Sequence, residues 1–180
     1  IKGAVPATGK IGGAYRFDGN SGIEVGNLNF SSGKYTVSGW IRTDRAAVTE
    51  DWRMWIGKLD NASGGPIELY LGDGRQRDDC GGNGPASAAW AAGRGVGSIY
   101  VSKLNLRDGN WHMMSATFEA GSQKLYADGV LAGTCADPGA LPVNSTDLVI
   151  GGMNFGPYHH PWIGDIDEVM IFDCVLSPEE

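Results

Sequence analysis

Short stretches in which apolar and polar residues alternate run through most of this sequence. In one of them, Tyr15 and Phe17 alternate with Arg16 and Asp18, which is the period-two pattern of a β-strand with one face against a core. No stretch carries the apolar stripe of an amphipathic helix. The segments predicted as strands are 14–18, 34–43, 53–59, 67–71, 98–104, 111–118, 124–127, 130–134, 147–151 and 162–172.

Turn-forming residues separate these segments. The dipeptide Asp128-Gly129 between two short strands is the strongest hairpin signal in the chain. Residues 60–66 are rich in turn formers and predict a hairpin between the strands on either side of them. Residues 72–97 are rich in glycine and predict a long loop, which is uncommon in a compact domain unless the loop has a function. The pattern predicts an all-β, antiparallel two-sheet sandwich or barrel.

Composition supports this fold class and excludes some partners. The chain has 180 residues with 29 glycines and eight prolines, which suits one domain of short strands and tight turns. Its formal net charge of −7 argues against binding to nucleic acid or to an anionic membrane. No apolar run approaches the ~20 residues of a membrane-spanning helix. We therefore expect a single domain over residues 1–180 with neither nucleic-acid binding nor membrane insertion.

The three cysteines leave two interpretations open. They form no C-x-x-C pair, which argues against the common zinc and thioredoxin-like motifs. Either Cys80 and Cys135 form a disulfide and Cys174 is a free thiol, or all three are separate thiols. Spacing along the chain does not decide between these alternatives.

Several motifs resemble the laminin G-like, concanavalin A-like lectin family. They are GKIGGAYRFDG at 9–19, YTVSGWI at 35–41, DGNWH at 108–112, KLYADG at 124–129, GDIDEV at 164–169 and LSPEE at 176–180. Together they follow the family's order along nearly the whole chain. The resemblance implies a two-sheet jelly roll, without the family's usual first strand ahead of residue 1, in a secreted or cell-surface protein. Because this fold carries lectins, adhesion modules and glycan hydrolases, function depends on the site.

The last predicted strand carries two acidic residues that are candidate metal ligands. Asp165 and Asp167 are two residues apart, so they share a strand face with Val169, which we expect to face the core. Buried carboxylates need a compensating partner. The resemblance to calcium-binding family members brings Asp18 near them, and we expect these three acids to hold a structural Ca²⁺ with carbonyls of the turn after Asp18. The alternative is that the pair caps loops or binds an arginine such as Arg16.

Aromatic and polar residues in the predicted loops are candidate ligand contacts. Exposed rings on polar loops often mark recognition surfaces, because rings stack on sugars and neighbouring polar groups bond hydroxyls. The candidate ligand-binding residues are Trp52, Arg77, Asp79, Trp90, Tyr158, His159 and His160. The alternative is that these loops pack against each other. Trp40 and Trp111 match core strand positions of the family and Trp162 opens the last strand, and we expect all three to be packed inside.

The sequence contains no catalytic motif that fits this fold. The jelly-roll glucanases carry Glu-x-Asp-x-x-Glu on one strand, and residues 165–170 read DIDEVM instead. We therefore expect a non-catalytic glycan-binding module with a structural calcium ion. One alternative is an adhesion domain of a bacterial surface protein that binds a protein surface, and another is a glycoside hydrolase.

Overall fold

A computed structural model describes residues 1–44, 53–58, 67–72, 88–93, 96–101, 106–136, 140–152, 154–155, 158–159 and 161–180. All regular secondary structure in these ranges is β-strand. The described residues contain no helix that could cross a membrane. The strands are β1 (Val5–Thr8), β2 (Gly13–Asp18), β3 (Ile23–Gly26), β4 (Tyr35–Asp44), β5 (Arg53–Lys58), β6 (Ile67–Gly72), β7 (Ala88–Gly93), β8 (Val96–Val101), β9 (Asp108–Glu119), β10 (Ser122–Ala127), β11 (Val130–Ala136), β12 (Leu148–Ile150), β13 (Asn154–Phe155), β14 (Tyr158–His159) and β15 (Ile163–Phe172).

The strands form two large antiparallel sheets and one small one. The first has seven strands in the order β1-β2-β15-β4-β9-β10-β11. The second has six strands in the order β3-β12-β5-β6-β7-β8, and β13 pairs only with β14. Both predicted hairpins, β5-β6 and β10-β11, are present. Non-consecutive neighbours such as β2, β15 and β4 make the order a jelly-roll arrangement and not a simple meander.

One hydrophobic core lies between the two large sheets. The seven-stranded sheet contributes Val37, Ile41 and Met114, all fully buried, and the six-stranded sheet contributes Trp55 and Leu69. The indole Nε1 of Trp55 donates to Sδ of Met114 at 3.1 Å, which joins the sheets across the core. The predicted all-β, two-sheet sandwich is confirmed.

The residues of strand β4 alternate between the two faces of the seven-stranded sheet. Val37 and Ile41 belong to the core, whereas Trp40 and Arg42 alternate with them and are only half-buried. The face that carries Trp40 and Arg42 is turned away from the six-stranded sheet, and we call it the outer face.

A β-bulge in β15 overturns one prediction from the sequence. Asp167 is the cross-strand partner of Trp40, and Met170 is that of Ser38. The step from one pair to the next is two residues in β4 and three in β15, so β15 contains one extra residue. Glu168 takes up this residue with a left-handed φ of 47°. Before the bulge Ile166 faces the core and Asp165 and Asp167 lie on the outer face, while after it Val169 and Ile171 pack against the core. The prediction that the acids share the core-facing side with Val169 was wrong.

The prediction of a long loop at 72–97 was also wrong in part. Strand β7 and the start of β8 lie inside it and extend the six-stranded sheet. Strands β1 and β3 were not predicted. Cys135 is disulfide-bonded and Cys174 is a free, exposed thiol. Cys80 lies outside the described residues, so its pairing with Cys135 stays a prediction.

Candidate functional site

Asp165 lies between two arginines on the outer face. It is the cross-strand partner of Arg16 on one side and of Arg42 on the other, so strands β2, β15 and β4 place the three residues in one row. Arg16 donates from Nε to Oδ1 at 2.7 Å and from Nη2 to Oδ2 at 3.2 Å. Arg42 donates from Nε and Nη2 to Oδ2 at 2.9 and 2.6 Å. One carboxylate thus binds two guanidinium groups.

This arrangement keeps Asp165 ionised. Burial raises the pKa of Asp165, but the hydrogen bonds and charges of Arg16 and Arg42 outweigh burial and hold it below its usual value. A carboxyl group with a lowered pKa is a poor proton donor at neutral pH. Asp165 is therefore suited to positioning the two arginines and not to general acid catalysis.

Two tryptophans lie beneath the cations of the same face. Cζ of Arg42 is 4.7 Å from the ring centroid of Trp111, and Nζ of Lys10 is 4.8 Å from that of Trp40. Both rings are half-buried on the outer face, so the prediction that they pack in the core was wrong, whereas Trp162 is fully buried as predicted. We call Lys10, Arg16, Trp40, Arg42, Trp111 and Asp165 the arginine–tryptophan cluster.

Asp167 binds backbone amides. Its Oδ2 accepts the N–H of Ile11 at 2.9 Å, and its Oδ1 accepts the N–H of Glu168 at 2.8 Å. A Cβ on Gly9 would lie 2.4 Å from Oδ2, so only glycine lets the β1-β2 turn approach this carboxylate without a shift. Asp167 thus fixes the turn that carries Lys10 over the outer face.

The three predicted calcium ligands do not fit a shared ion site. Asp165 is bound by two guanidinium groups, both oxygens of Asp167 accept amide hydrogens, and Oδ1 of Asp18 accepts the N–H of Asn20 at 2.9 Å. Among the described side chains, no group of three His, Cys, Asp or Glu is arranged to hold a metal ion. The contacts of Asp165 and Asp167 are those of the alternative, arginine pairing and loop capping. Calcium binding by this domain itself stays a prediction.

Some predicted ligand residues lie in the described strands. Trp90 belongs to β7 and not to a loop, and it pairs in register with Tyr70 of β6 and with Tyr100 of β8. Tyr158 and His159 form β14, where they pair with β13. Trp52, Arg77, Asp79 and His160 lie outside the described residues.

The sequence comparison decides the family. The sequence model of the concanavalin A-like lectin/glucanases superfamily matches residues 17–180. This chain belongs to that superfamily. No curated protein sequence matches it.

Solved structures share the superfamily fold with this chain. Domain 4 of the extracellular arabinanase AbnA from Geobacillus stearothermophilus, solved with arabinotriose, has a TM-score of 0.71 at 22% identity over 98% of this chain and 78% of its own. The binding domain of Paraclostridial Mosquitocidal Protein 1 has a TM-score of 0.74 at 17% identity over 99% and 44%. Mouse laminin α1 domains LG4-5 have a TM-score of 0.62 at 19% identity over 97% and 45%. This chain therefore spans less than half of the last two structures.

Most of the arginine–tryptophan cluster was not predicted as a site from the sequence. The alternation in β4 already placed Trp40 opposite Val37 and Ile41, and Arg42 continues the side of Trp40. Trp40 was instead interpreted as a core residue, because its position resembles a core position of the superfamily. An arginine two residues from a tryptophan on a strand is better interpreted as one side of an amphipathic sheet.

His112 forms a separate ionic network near one end of β9. Its Nδ1 lies 2.8 Å from Oδ2 of Asp128 and its Nε2 lies 3.0 Å from Oδ1 of Asp108. Burial lowers the pKa of His112, but the hydrogen bonds and charges of the two acids outweigh burial and raise it above 6.5. Hydrogen bonds from Asn110, and then from His112, lower the pKa of Asp108 to about 2.

This network predicts a pH dependence of stability. Because the folded pKa of His112 is raised, its contribution is complete below its unfolded pKa and is lost as the pH rises through the folded value. The contribution of Asp108 is complete above its unfolded pKa and is lost as the pH falls toward about 2. We expect the wild type to lose about 2–4 °C more in Tm than His112→Gln between about pH 5.5 and about pH 8.5, measured by calorimetry. Equal losses in the two proteins would contradict this assignment.

Proposed function

We propose that this domain is a non-catalytic glycan-binding module of a secreted or cell-surface protein. Membership of the lectin/glucanases superfamily supports this function, as does the likeness to an arabinanase domain solved with arabinotriose. Fold alone does not select a ligand, because one fold carries many functions. The proposal rests on one row of residues in the six-stranded sheet.

Three aromatic residues take aligned positions on neighbouring strands. Tyr70 is the cross-strand partner of Trp90, and Trp90 is that of Tyr100. Cross-strand partners share one face of a sheet, and the row is one residue out of step with Leu69 and Leu71 of the buried core. The register therefore places the row at strand positions that alternate with those of the core. Aromatic residues at aligned positions of neighbouring strands are a pattern typical of surfaces on which successive sugar rings stack.

A non-catalytic function agrees with the acids of β15. Glycosidases need two carboxyl groups across a cleft, one of which gives up a proton. Asp165 is kept ionised by two arginines, and Asp167 has both oxygens bonded to backbone amides. Asp165 is therefore a poor proton donor, and neither oxygen of Asp167 is free of hydrogen bonds.

The function is tested on a glycan array and by affinity electrophoresis in neutral polysaccharides, beginning with arabinan. Wild-type protein is expected to bind, and Trp90→Ala is expected to weaken binding about tenfold to thirtyfold, because a central aromatic contact is worth ~2 kcal/mol. Tyr126→Ala in the other sheet is the aromatic control and is expected to bind like the wild type. Unchanged thermal unfolding of both variants ensures that they are folded.

The outcome also separates glycan binding from adhesion. Saturable binding that depends on Trp90 supports the module. No binding to any sugar by well-folded protein would remove the proposal and favour the alternative, a protein-binding adhesion domain.

A further inference from the structure

The arginine–tryptophan cluster presents positive charge on a domain whose overall charge is negative. The chain carries 14 basic and 21 acidic side chains, giving a formal charge of −7. On this part of the outer face, Lys10 and Arg16 are exposed and Arg42 is half-buried, whereas Asp165 and Asp167 are buried. Of these five charged groups, the three basic ones therefore lie outermost and the two acidic ones lie beneath them.

Both arginines keep hydrogen-bond donors for a further partner. A guanidinium group has five N–H donors. In the described part of the chain, Arg16 and Arg42 each contact Asp165 through Nε and Nη2, so Nη1 of each is not used in these contacts. The Arg16 side chain is 58% exposed and that of Arg42 is 32% exposed. Asp165 thus fixes the guanidinium groups and leaves part of each open to solvent.

The same residues combine charge with aromatic surface. Arg42 and Trp111 are cross-strand partners of β4 and β9, and Arg42 lies over the Trp111 ring. Trp40 lies two residues from Arg42 on the same side of β4, with Lys10 over its ring. Because these rings are held by central strands of a sheet, the surface is formed before a ligand arrives.

We propose that the arginine–tryptophan cluster is a second ligand surface, which binds a polysaccharide bearing carboxylate or sulfate groups. Arginine pairs with such groups through parallel N–H···O bonds, and the tryptophan edges contact the apolar faces of the sugar rings. The site lies on the other sheet from the Trp90 row, so it extends the proposed function without depending on the same residues. The positive charge favours an anionic polymer over a neutral one.

The test measures binding of polygalacturonate, dextran sulfate and neutral dextran by affinity electrophoresis at low and moderate salt. Wild-type protein is expected to bind one or both anionic polymers and not dextran. The double variant Lys10→Gln/Arg16→Gln is expected to bind at least about tenfold more weakly, because two charged contacts are removed. The control Lys2→Gln/Lys34→Gln makes the same change in net charge at two exposed positions and is expected to bind like the wild type.

The choice of polymers identifies the charged group that is bound, and the Trp90→Ala variant separates this site from the Trp90 row. Preference for polygalacturonate indicates carboxylate recognition, and preference for dextran sulfate indicates sulfate recognition. The proposal would be overturned if both double variants bound the anionic polymers equally weakly. It would also be overturned if the wild type bound dextran as well as the anionic polymers, or bound none of the three. Sedimentation showing that Arg16 instead holds two copies of the chain together would overturn it too. Anionic binding that persists in Trp90→Ala supports this surface even if neutral glycans fail to bind, whereas its loss in Trp90→Ala assigns the ligand to the other sheet.

Discussion

Replacement of Lys58 by methionine is expected to lower the free energy of unfolding by about 3 kcal/mol. Lys58 is fully buried at the end of β5. Its Nζ donates to Oδ1 of Asn27 at 2.6 Å, to the carbonyl of Asn144 at 3.3 Å and to that of Thr146. Methionine retains the apolar stem but leaves these oxygen acceptors without the ammonium group, which is costly inside a protein. Urea denaturation monitored by tryptophan fluorescence measures the change.

The size of this effect follows from where the amine lies. Asn27 follows β3, and Asn144 and Thr146 precede β12, so Lys58 joins two connections to the six-stranded sheet. Burial lowers the pKa of Lys58, and the charge of Asp147 opposes that decrease. The control Lys2→Met removes an amine whose side chain is 72% exposed and is expected to change stability by less than ~0.5 kcal/mol. If the two variants were equally stable, Lys58 would not join these connections.

Replacement of Gly164 by alanine is expected to destabilise the fold by about 4 kcal/mol. Gly164 precedes Asp165 in β15 and has a φ of +138°, which L side chains rarely adopt. A Cβ there would lie 2.2 Å from the backbone oxygen of Arg42 and 3.1 Å from Cβ of Thr43. Backbone atoms cannot move aside as a flexible side chain can, so β15 must separate from β4. Denaturant unfolding is again the measurement.

A second glycine distinguishes backbone strain from the close approach. Gly129 also has a positive φ, +78°, but no heavy atom lies within 4 Å of the site of its Cβ. Gly129→Ala should therefore show only the cost of the left-handed conformation, about 1 kcal/mol. A loss at Gly164 no greater than that at Gly129 would mean that β15 and β4 tolerate separation at this point.

Much of the fold could be predicted because local signals and packing agree. Asp128-Gly129 has the turn chemistry of a tight hairpin, and Asp128 and Gly129 both adopt positive φ between β10 and β11. In β4, alternation placed Val37 and Ile41 together, and both are fully buried. Such signals are read within one strand, where side-chain direction follows directly from sequence position.

The rest depends on partners that are distant in sequence. Arg16, Arg42 and Asp165 are far apart along the chain and meet only because β15 lies between β2 and β4. Trp90 looked like a loop residue because small residues and turn formers surround it, yet β7 is held by pairing with β6 and β8. The alanines and glycines of this segment carry little strand propensity of their own, so pairing with neighbours determined the outcome.

The single inserted residue at Glu168 divides β15 into two halves with opposite rules for substitution. In the first half, the odd positions Asp165 and Asp167 carry groups that bind arginines and amides, and the even position Ile166 is apolar. In the second half the odd positions Val169 and Ile171 must be apolar. A relative that lacks this inserted residue would need the opposite order of apolar and polar positions in one half of the strand. An alignment that places the gap elsewhere in β15 would therefore match core positions of one protein with surface positions of the other.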